Sequence, residues 1–581
     1  MTPYQKKNRP MTPTHSPSPD IKRLVIALVV ATAIMVGWQF FYEAPRLEVA
    51  RQAAAVKAAS ESAAVVVKKE APKPVAAAAV MNNGPRIKIN SASLHGSIAL
   101  TGARFDDLKL VNYRETIDKN SPEMRLLNNA ENDAAYFAEI GVLGGDAGVA
   151  VPDANTQWQA SGTELSETKP VTLRWNNGAG LSFEKKIAVD EHFMFTVTTT
   201  VKNTGSTPVT LYPYGLVSRN HTETSSSNYM MMHEGPLGVM NQVLDDVNYK
   251  ELRESGPRQF QSSTGWIGMT DKYWLAAMVP EAGQTFDASF KHFKRGELDA
   301  YQADLRGAAM SVPVGQTSSF TVRLFAGAKQ VALLDEYSTK YTIPLFDRAV
   351  DFGTLYFLTK PIFSLLNYFQ GLVGNFGVAI LLLTVVIKLL LYPLAHKSMV
   401  SMARMKFLMP KVEEIKARYG NDKMKMNQEM MALYKREKVN PVAGCLPILL
   451  QIPVFFALYR VLFVTIEMRQ APFFGWIHDL SVPDPANLFT AFGYLPWDAP
   501  DFLNLGVWPI VMCATMFIQQ RISPKPADPV QAAVMTYMPF LFLFLFASFP
   551  AGLVIYWAWN NTLTILQQLY INTHLTKKGL R

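Results

Sequence analysis

Apolar and polar positions change their pattern three times along the chain. The first apolar run, "LVIALVVATAIMVGWQFFY" (Leu24–Tyr42), has the roughly 20 residues that a bilayer-spanning helix needs. It follows Lys6, Lys7, Arg9, Lys22 and Arg23. It is longer than the roughly 7–15-residue apolar core of a cleavable signal peptide. No clean small-x-small site ends it. Residues 24–42 therefore read as an uncleaved signal anchor behind a cytoplasmic N-terminus, 1–23, with cleavage in the alanine-rich stretch beyond as the other reading. Residues 43–85 are rich in Ala, Lys and Pro and form a flexible linker.

From 86 to 340 the period falls to two. "SFEKKIAVD" and "FMFTVTTTVKNTGSTPVTLYPYGL" predict strand, turn and strand, with Phe193, Phe195, Val197, Thr199 and Val201 on one face. "SFTVRLFAG" (Ser319–Gly327) predicts a last strand. Short alternating runs over this length predict a large antiparallel β-sandwich. Residues 344–370 are apolar but interrupted by Asp347, Arg348, Asp351 and Lys360. They read as an amphipathic helix on the outer membrane face, or as a kinked start of the next span.

Beyond 371 the pattern becomes long apolar blocks with basic connectors. Spans are predicted at 374–392, 444–466, 503–522, 532–549 and 553–571. The last two form a helical hairpin about "PAG" (Pro550–Gly552), or one long helix with a re-entrant end. Within 395–443, Met405, Leu408, Val412, Ile415 and Tyr419 are spaced 3, 4, 3, 4, a coiled-coil seam. "GND" breaks it, and Met426, Met430 and Leu433 continue on a second arm, so an antiparallel helical hairpin is expected there. It is either a partner-binding element or a structural one beside anionic headgroups.

Charge orients these blocks. Residues 395–443 carry eleven Lys or Arg against five acids, whereas 467–501 carry Arg469 alone against Glu467, Asp479, Asp484, Asp498 and Asp501. Lys and Arg accumulate in cytoplasmic loops, so the expected topology is six spans with both termini cytoplasmic, including the tail 572–581, and the β domain outside. Overall, 18% of residues are charged and 49% hydrophobic, with a net charge of +9. Soluble proteins carry about 25% charged residues, and the deficit falls in the late blocks. The two cysteines, Cys445 and Cys513, both lie in apolar blocks and give no disulfide framework.

The β domain has no HExxH, GxSxG, Walker A or CxxC pattern. His221 and His233 flank "TETSSSNYMMM" without metal-ligand spacing and read as surface loop residues. The chemistry points instead to Lys388, inside "LLLTVVIKLLLYPLAHKS" (Leu381–Ser398). A central lysine costs about 2.5–3.5 kcal/mol on insertion, and each surrounding large apolar residue returns about 0.3–0.6. Two readings stand. Lys388 lies four residues from Tyr392, so it is able to snorkel towards the cytoplasmic headgroups. Alternatively it lines a wet cavity with Thr384, Gln451, Gln519, Gln520, Asn560, Asn561, Gln567 and Gln568.

The stretches "QEMMALYKREKVNPVAGCLPILLQIPVFFALYRVL" (Gln428–Leu462), "RQAPFFGWIHDLS" (Arg469–Ser481) and "MPFLFLFLFASFPAGLVIYW" (Met538–Trp557) resemble the YidC/Oxa/Alb family of membrane protein insertases. The resemblance covers the whole order of elements. It implies a bacterial inner-membrane protein whose outside domain, like the mutarotase-type supersandwich, is periplasmic and not catalytic. It implies insertion of nascent membrane proteins into the phospholipid bilayer, alone or beside the Sec translocon, with no cofactor and no nucleotide. A hydrophilic groove open to cytoplasm and lipid would receive the acidic tail of a substrate at Lys388, where well-known members carry arginine. Lysine keeps the charge but loses the bidentate fork. Thr384, Gln451, Tyr556 and Trp557 map to the groove, with Gln520 and Asn561 as further polar lining; relatives often have tyrosine in place of Trp557. Arg404, Lys411, Arg418 and Glu437 of the hairpin are the expected contacts to partners such as the signal recognition particle receptor and ribosome. Two other functions compete: a secondary transporter with Lys388 as coupling group, though no internal repeat is visible, and a membrane-anchored enzyme using the β domain.

Overall fold

The computed structural model describes residues 84–118, 120–129, 135–146, 148–221, 232–420, 422–437, 439, 446–493, 495, 505–523 and 529–577. The signal anchor at 24–42, most of the linker, Cys445 and the end of the C-terminal tail lie outside the described residues.

The β region is two sheets face to face. An 11-stranded sheet centres on Val209–Asn220, which pairs with Tyr136–Gly144 and Leu298–Gly307. A 9-stranded sheet centres on Thr317–Ala328, between Met194–Asn203 and Trp274–Pro280. Alternation makes the sandwich: Phe195, Val197, Thr199 and Val201 are buried, while Thr196, Thr198 and Thr200 between them are half-buried. The sheets meet where Phe105 packs edge-on against Phe195, with ring centroids 5.2 Å apart. Packing leaves no room for a side chain at Gly327, where a Cβ would fall 2.2 Å from the Phe193 ring.

The two histidines are not free surface residues. His221 stacks on Tyr249 at 3.9 Å. His233 is only 14% exposed, with Nε2 3.0 Å from the Pro236 carbonyl and Nδ1 3.6 Å from Asp246. Aromatic packing and a neighbouring acid hold them, which their loop-like sequence surroundings conceal.

Nine α-helices occur among the described residues: α1 (Tyr249–Ser255), α2 (Val331–Lys340), α3 (Tyr356–Val373), α4 (Phe376–Tyr419), α5 (Lys423–Arg436), α6 (Leu446–Val464), α7 (Val507–Ile522), α8 (Pro529–Ala547) and α9 (Ala551–Lys577). The helix expected over 344–370 starts late, at Tyr356. Asp347 and Asp351 are drawn into side-chain bonds instead: Lys360 Nζ reaches Asp335 at 2.8 Å and Asp347 at 2.7 Å. Gly374 ends α3 in the left-handed region, and Asn375 caps α4 by accepting from the Val378 N–H at 3.1 Å. The two helices are therefore distinct.

The span expected at 374–392 and the first arm of the hairpin expected at 395–443 are one helix. α4 runs unbroken for 44 residues through Pro393 and Pro410, a length of about 66 Å at 1.5 Å per residue. A proline removes one backbone bond and kinks a helix, but does not by itself end it where neighbours satisfy the freed carbonyl. α4 is long and apolar enough to cross a membrane. Its C-terminal part packs on α5 through buried Leu408, Val412 and Leu433. α8 and α9 are two helices about a tight turn at Ser548–Pro550.

Side chains fasten the β region to the helices. The Trp266 indole donates to the Pro344 carbonyl at 3.1 Å. Asp351 accepts from the His233 N–H at 3.0 Å and from Arg460 of α6 at 3.2 Å. Glu467, just beyond α6, accepts from the Val331 N–H at 3.2 Å and so caps α2, whose own N-cap residue, Gln330, provides no such bond. Burial pushes the Glu467 carboxyl up to about 7. The folded state thus favours its protonated form. Stability from this group is fully present below the ordinary value near 4.5 and is lost as pH rises towards about 7. Glu467→Gln is expected to flatten that part of the pH profile of unfolding, measured between pH 4.5 and 7; an unchanged profile would assign the dependence elsewhere.

Candidate functional site

Lys388 sits 12 residues into α4, about 18 Å along its axis. That depth exceeds half of a hydrocarbon core about 30 Å thick. Its side chain turns towards the other helices: Nζ donates to Thr564 Oγ1 of α9 at 2.7 Å. The Thr564 hydroxyl donates to the Asn560 carbonyl at 2.7 Å, and Asn560 Oδ1 accepts from Gln451 Nε2 of α6 at 3.0 Å. One connected polar track therefore joins α4, α9 and α6. Helical geometry builds it, because Tyr556, Asn560 and Thr564 are four residues apart and share one face of α9.

A second polar set follows on α7 and α9. Asn561 Nδ2 lies 3.4 Å from Thr515 Oγ1, and Gln568 Nε2 lies 3.5 Å from Ser523 Oγ. The amide nitrogens of Gln520 and Gln567 are buried and make no hydrogen bond among the described residues. Unsatisfied buried donors are costly, so these two amides mark places where the bundle has spare hydrogen-bonding capacity.

The other expected residues fall in different surroundings. Thr384 is buried, its hydroxyl turned back to the Ile380 carbonyl at 2.6 Å. Tyr556 is also buried. Trp557 packs among Phe455 at 4.7 Å, Phe546 at 4.9 Å and Phe542 at 6.0 Å, on the apolar side of the bundle. On the hairpin, Arg404 and Arg418 are exposed, whereas Lys411 and Glu437 pair with each other at 3.1 Å. Thr564, Thr515 and Ser523 were not anticipated. Thr564 was detectable from its i+4 spacing after Asn560; Thr515, alone in an apolar run, left no signal.

The track has one cation whose bonded partner is a hydroxyl. Such a site suits transient attraction of a carboxylate.

Comparison with known proteins places the chain in a family. Residues 86–365 match the family described as the YidC periplasmic domain, and residues 368–578 match the 60Kd inner membrane protein family. A membrane protein insertase YidC from Rickettsia canadensis is 48% identical over 556 residues, covering 95% of this chain and 99% of the relative. One from Rickettsia bellii is 47% identical over 554 residues with the same coverage. A crystal structure described as an active YidC insertase with its first transmembrane domain resolved is 18% identical, with a TM-score of 0.35, covering 83% of this chain and 92% of that one. The transporter reading finds no support among these relatives. Matched by family models over nearly all of residues 86–578 and nearly half identical to relatives along their full length, the chain belongs to the YidC family of membrane protein insertases, with a β-rich periplasmic domain and a helical inner-membrane region.

Proposed function

We propose that the polar track around Lys388 is the groove through which this insertase moves the acidic or short outside-bound segments of its substrates. The observation that carries this is the Lys388–Thr564 bond at 2.7 Å, which turns the amine into the helix bundle and away from the headgroups. A carboxylate at about 6 Å in an effective dielectric near 20 gains about 2.8 kcal/mol. That holds a passing segment briefly without trapping it. Polar groups on Gln451, Asn560 and Asn561 would replace water around the segment until its apolar part enters lipid.

The topology that fits is six spans with both termini cytoplasmic, the β domain periplasmic and the α4–α5 hairpin cytoplasmic. Exposed Arg404 and Arg418 suit acidic or ribosomal partners, and the Sec translocon, the signal recognition particle receptor and the ribosome are the expected ones. The Lys411–Glu437 pair would stiffen the hairpin more than contact a partner. No nucleotide or cofactor enters this scheme, and the β domain acts as a binding or spacing module.

Cysteine labelling tests the groove. Thr564→Cys, in a background lacking Cys445 and Cys513, is expected to react with a membrane-impermeant maleimide from the cytoplasmic side and not from the periplasmic side. Equal protection on both sides would replace the groove with a sealed bundle. Gln451→Leu combined with Asn560→Leu is expected to slow insertion about tenfold, as the loss of one bond's worth of polar stabilisation implies. Protease-protected insertion into liposomes reads that rate.

A further inference from the structure

Away from the track, a cavity of about 420 Å³ opens between the β domain and the loop after α6. Lys272, Arg469 and His478 contribute basic groups to its walls, Glu115 and Asp479 acidic ones, and Ile117, Val482 and Pro485 an apolar side.

Asp479 and Glu234 lie near enough to Lys272 to attract its charge, yet both strong cations keep unused hydrogen-bond donors. Lys272 Nζ lies 3.7 Å above the Phe463 ring and 4.8 Å from that of Tyr273, and makes no hydrogen bond among the described residues. Arg469 gives Nη2 to the Arg114 and Glu115 carbonyls, while its buried Nη1 has no partner among the described residues. The buried acid beside them, Asp479, spends Oδ1 on the Ser481 N–H and hydroxyl at 2.8 and 2.7 Å. Burial pushes the Lys272 amine down to about 8 and lowers Arg469 too, the condition that an incoming anion relieves.

The position of the cavity along α6 bears on which anion fits it. Phe463 is the penultimate residue of α6, so Lys272 lies at the end of a helix read as a span. Trp476 lines the cavity, and Phe474 beside it is 63% exposed. Aromatic residues of this kind gather at headgroup level.

We propose that this cavity binds the phosphate headgroup of a glycerophospholipid from the periplasmic leaflet, the phosphate between Lys272 and Arg469 and the glycerol end against Val482 and Pro485. The proposal rests on the topology given above for the β domain. A lipid held there would tie the β domain to the bilayer surface beside α6.

The test uses full-length, delipidated protein, native mass spectrometry and dihexanoyl phosphatidylglycerol as probe; it reads binding without insertion. Wild type is expected to hold one saturable lipid. Lys272→Gln and Val482→Asp should each weaken it about tenfold or more, as loss of a charge-assisted contact or entry of a like charge does. Lys272→Arg should retain binding, which separates lost charge from lost packing. Val482 is 43% exposed, so its substitution should leave the unfolding midpoint unchanged. Unchanged binding in both Lys272→Gln and Val482→Asp would overturn the proposal. So would displacement by glycerol phosphate at equal concentration, which would mark a free-phosphate site, or preferential binding of an acidic peptide.

Discussion

Lys388→Ala is expected to lower the insertion of a single-span protein with an acidic tail by up to about a hundredfold, the occupancy equivalent of about 2.8 kcal/mol. Lys388→Glu should lower it further, because attraction becomes repulsion. Lys388→Arg should insert at near wild-type rates, since the charge is kept and a guanidinium is able to donate to Thr564. The measurement is protease-protected insertion by the purified protein in liposomes. A substrate with a neutral tail supplies the contrast: its insertion should respond weakly to all three changes. Equal insertion of the acidic substrate by wild type, Lys388→Ala and Lys388→Glu would return Lys388 to a snorkelling anchor. Failure of wild type itself would mean that a Sec partner is required. The Thr564 bond makes the first outcome the expected one, because a snorkelling amine would extend along α4 past Tyr392 and not across to α9.

The β strands were legible because alternation is a local property. Phe195, Val197 and Val201 announce a buried face whatever lies opposite them. Long apolar blocks announced α6 to α9 for a similar reason. Their ends were less readable. The span at 374–392 and the hairpin arm after 395 read as separate elements, yet α4 runs through both to Tyr419, since the prolines inside it do not end a helix where neighbours satisfy the freed carbonyl. The late start of α3 depends on Lys360 reaching both Asp335 and Asp347, a tertiary event that no window of sequence contains. At the site, Lys388, Gln451, Asn560 and Asn561 stood out as polar residues in apolar runs. Which of them would meet was not visible, because that depends on the rotation of each helix. Trp557 shows the consequence: one position from Tyr556, it faces Phe455 and Phe546, about 100° around α9 from the polar track.

In the β domain the largest expected effect belongs to Glu139. Its carboxylate accepts from Arg104 Nε at 2.7 Å, and both residues are buried, at 7% and 4% exposure. The Arg104 guanidinium also lies 4.2 Å over the Phe137 ring, which Arg295 approaches at 5.2 Å. Lys185, 2% exposed, donates to the adjacent Ile140 carbonyl at 2.6 Å. Glu139 is thus the acid that balances two buried cations, Arg104 and Lys185, and the half-buried Arg295. Removing one partner of a buried pair strands the other charge and costs about 3–5 kcal/mol. Glu139→Leu should therefore destabilise the full-length protein by about that amount, read by denaturation in detergent with proteolysis of the β domain. Arg104→Met in the same chain should restore much of the loss, since an apolar replacement of the whole pair is often neutral. Lys185 gives an independent signature. Burial pushes its amine down to about 8, opposed by Glu139. A lowered folded value means that the unfolded chain holds the proton more tightly, so this group adds stability as pH rises from about 8 towards its ordinary 10.5. Without Glu139 the amine falls lower still, and the gain starts at lower pH. The penalty of Glu139→Leu should accordingly be smaller at pH 9 than at pH 7. A penalty below about 1 kcal/mol, the range of solvent-exposed pairs, would show that water reaches this cluster and that the sandwich is open where its charges meet.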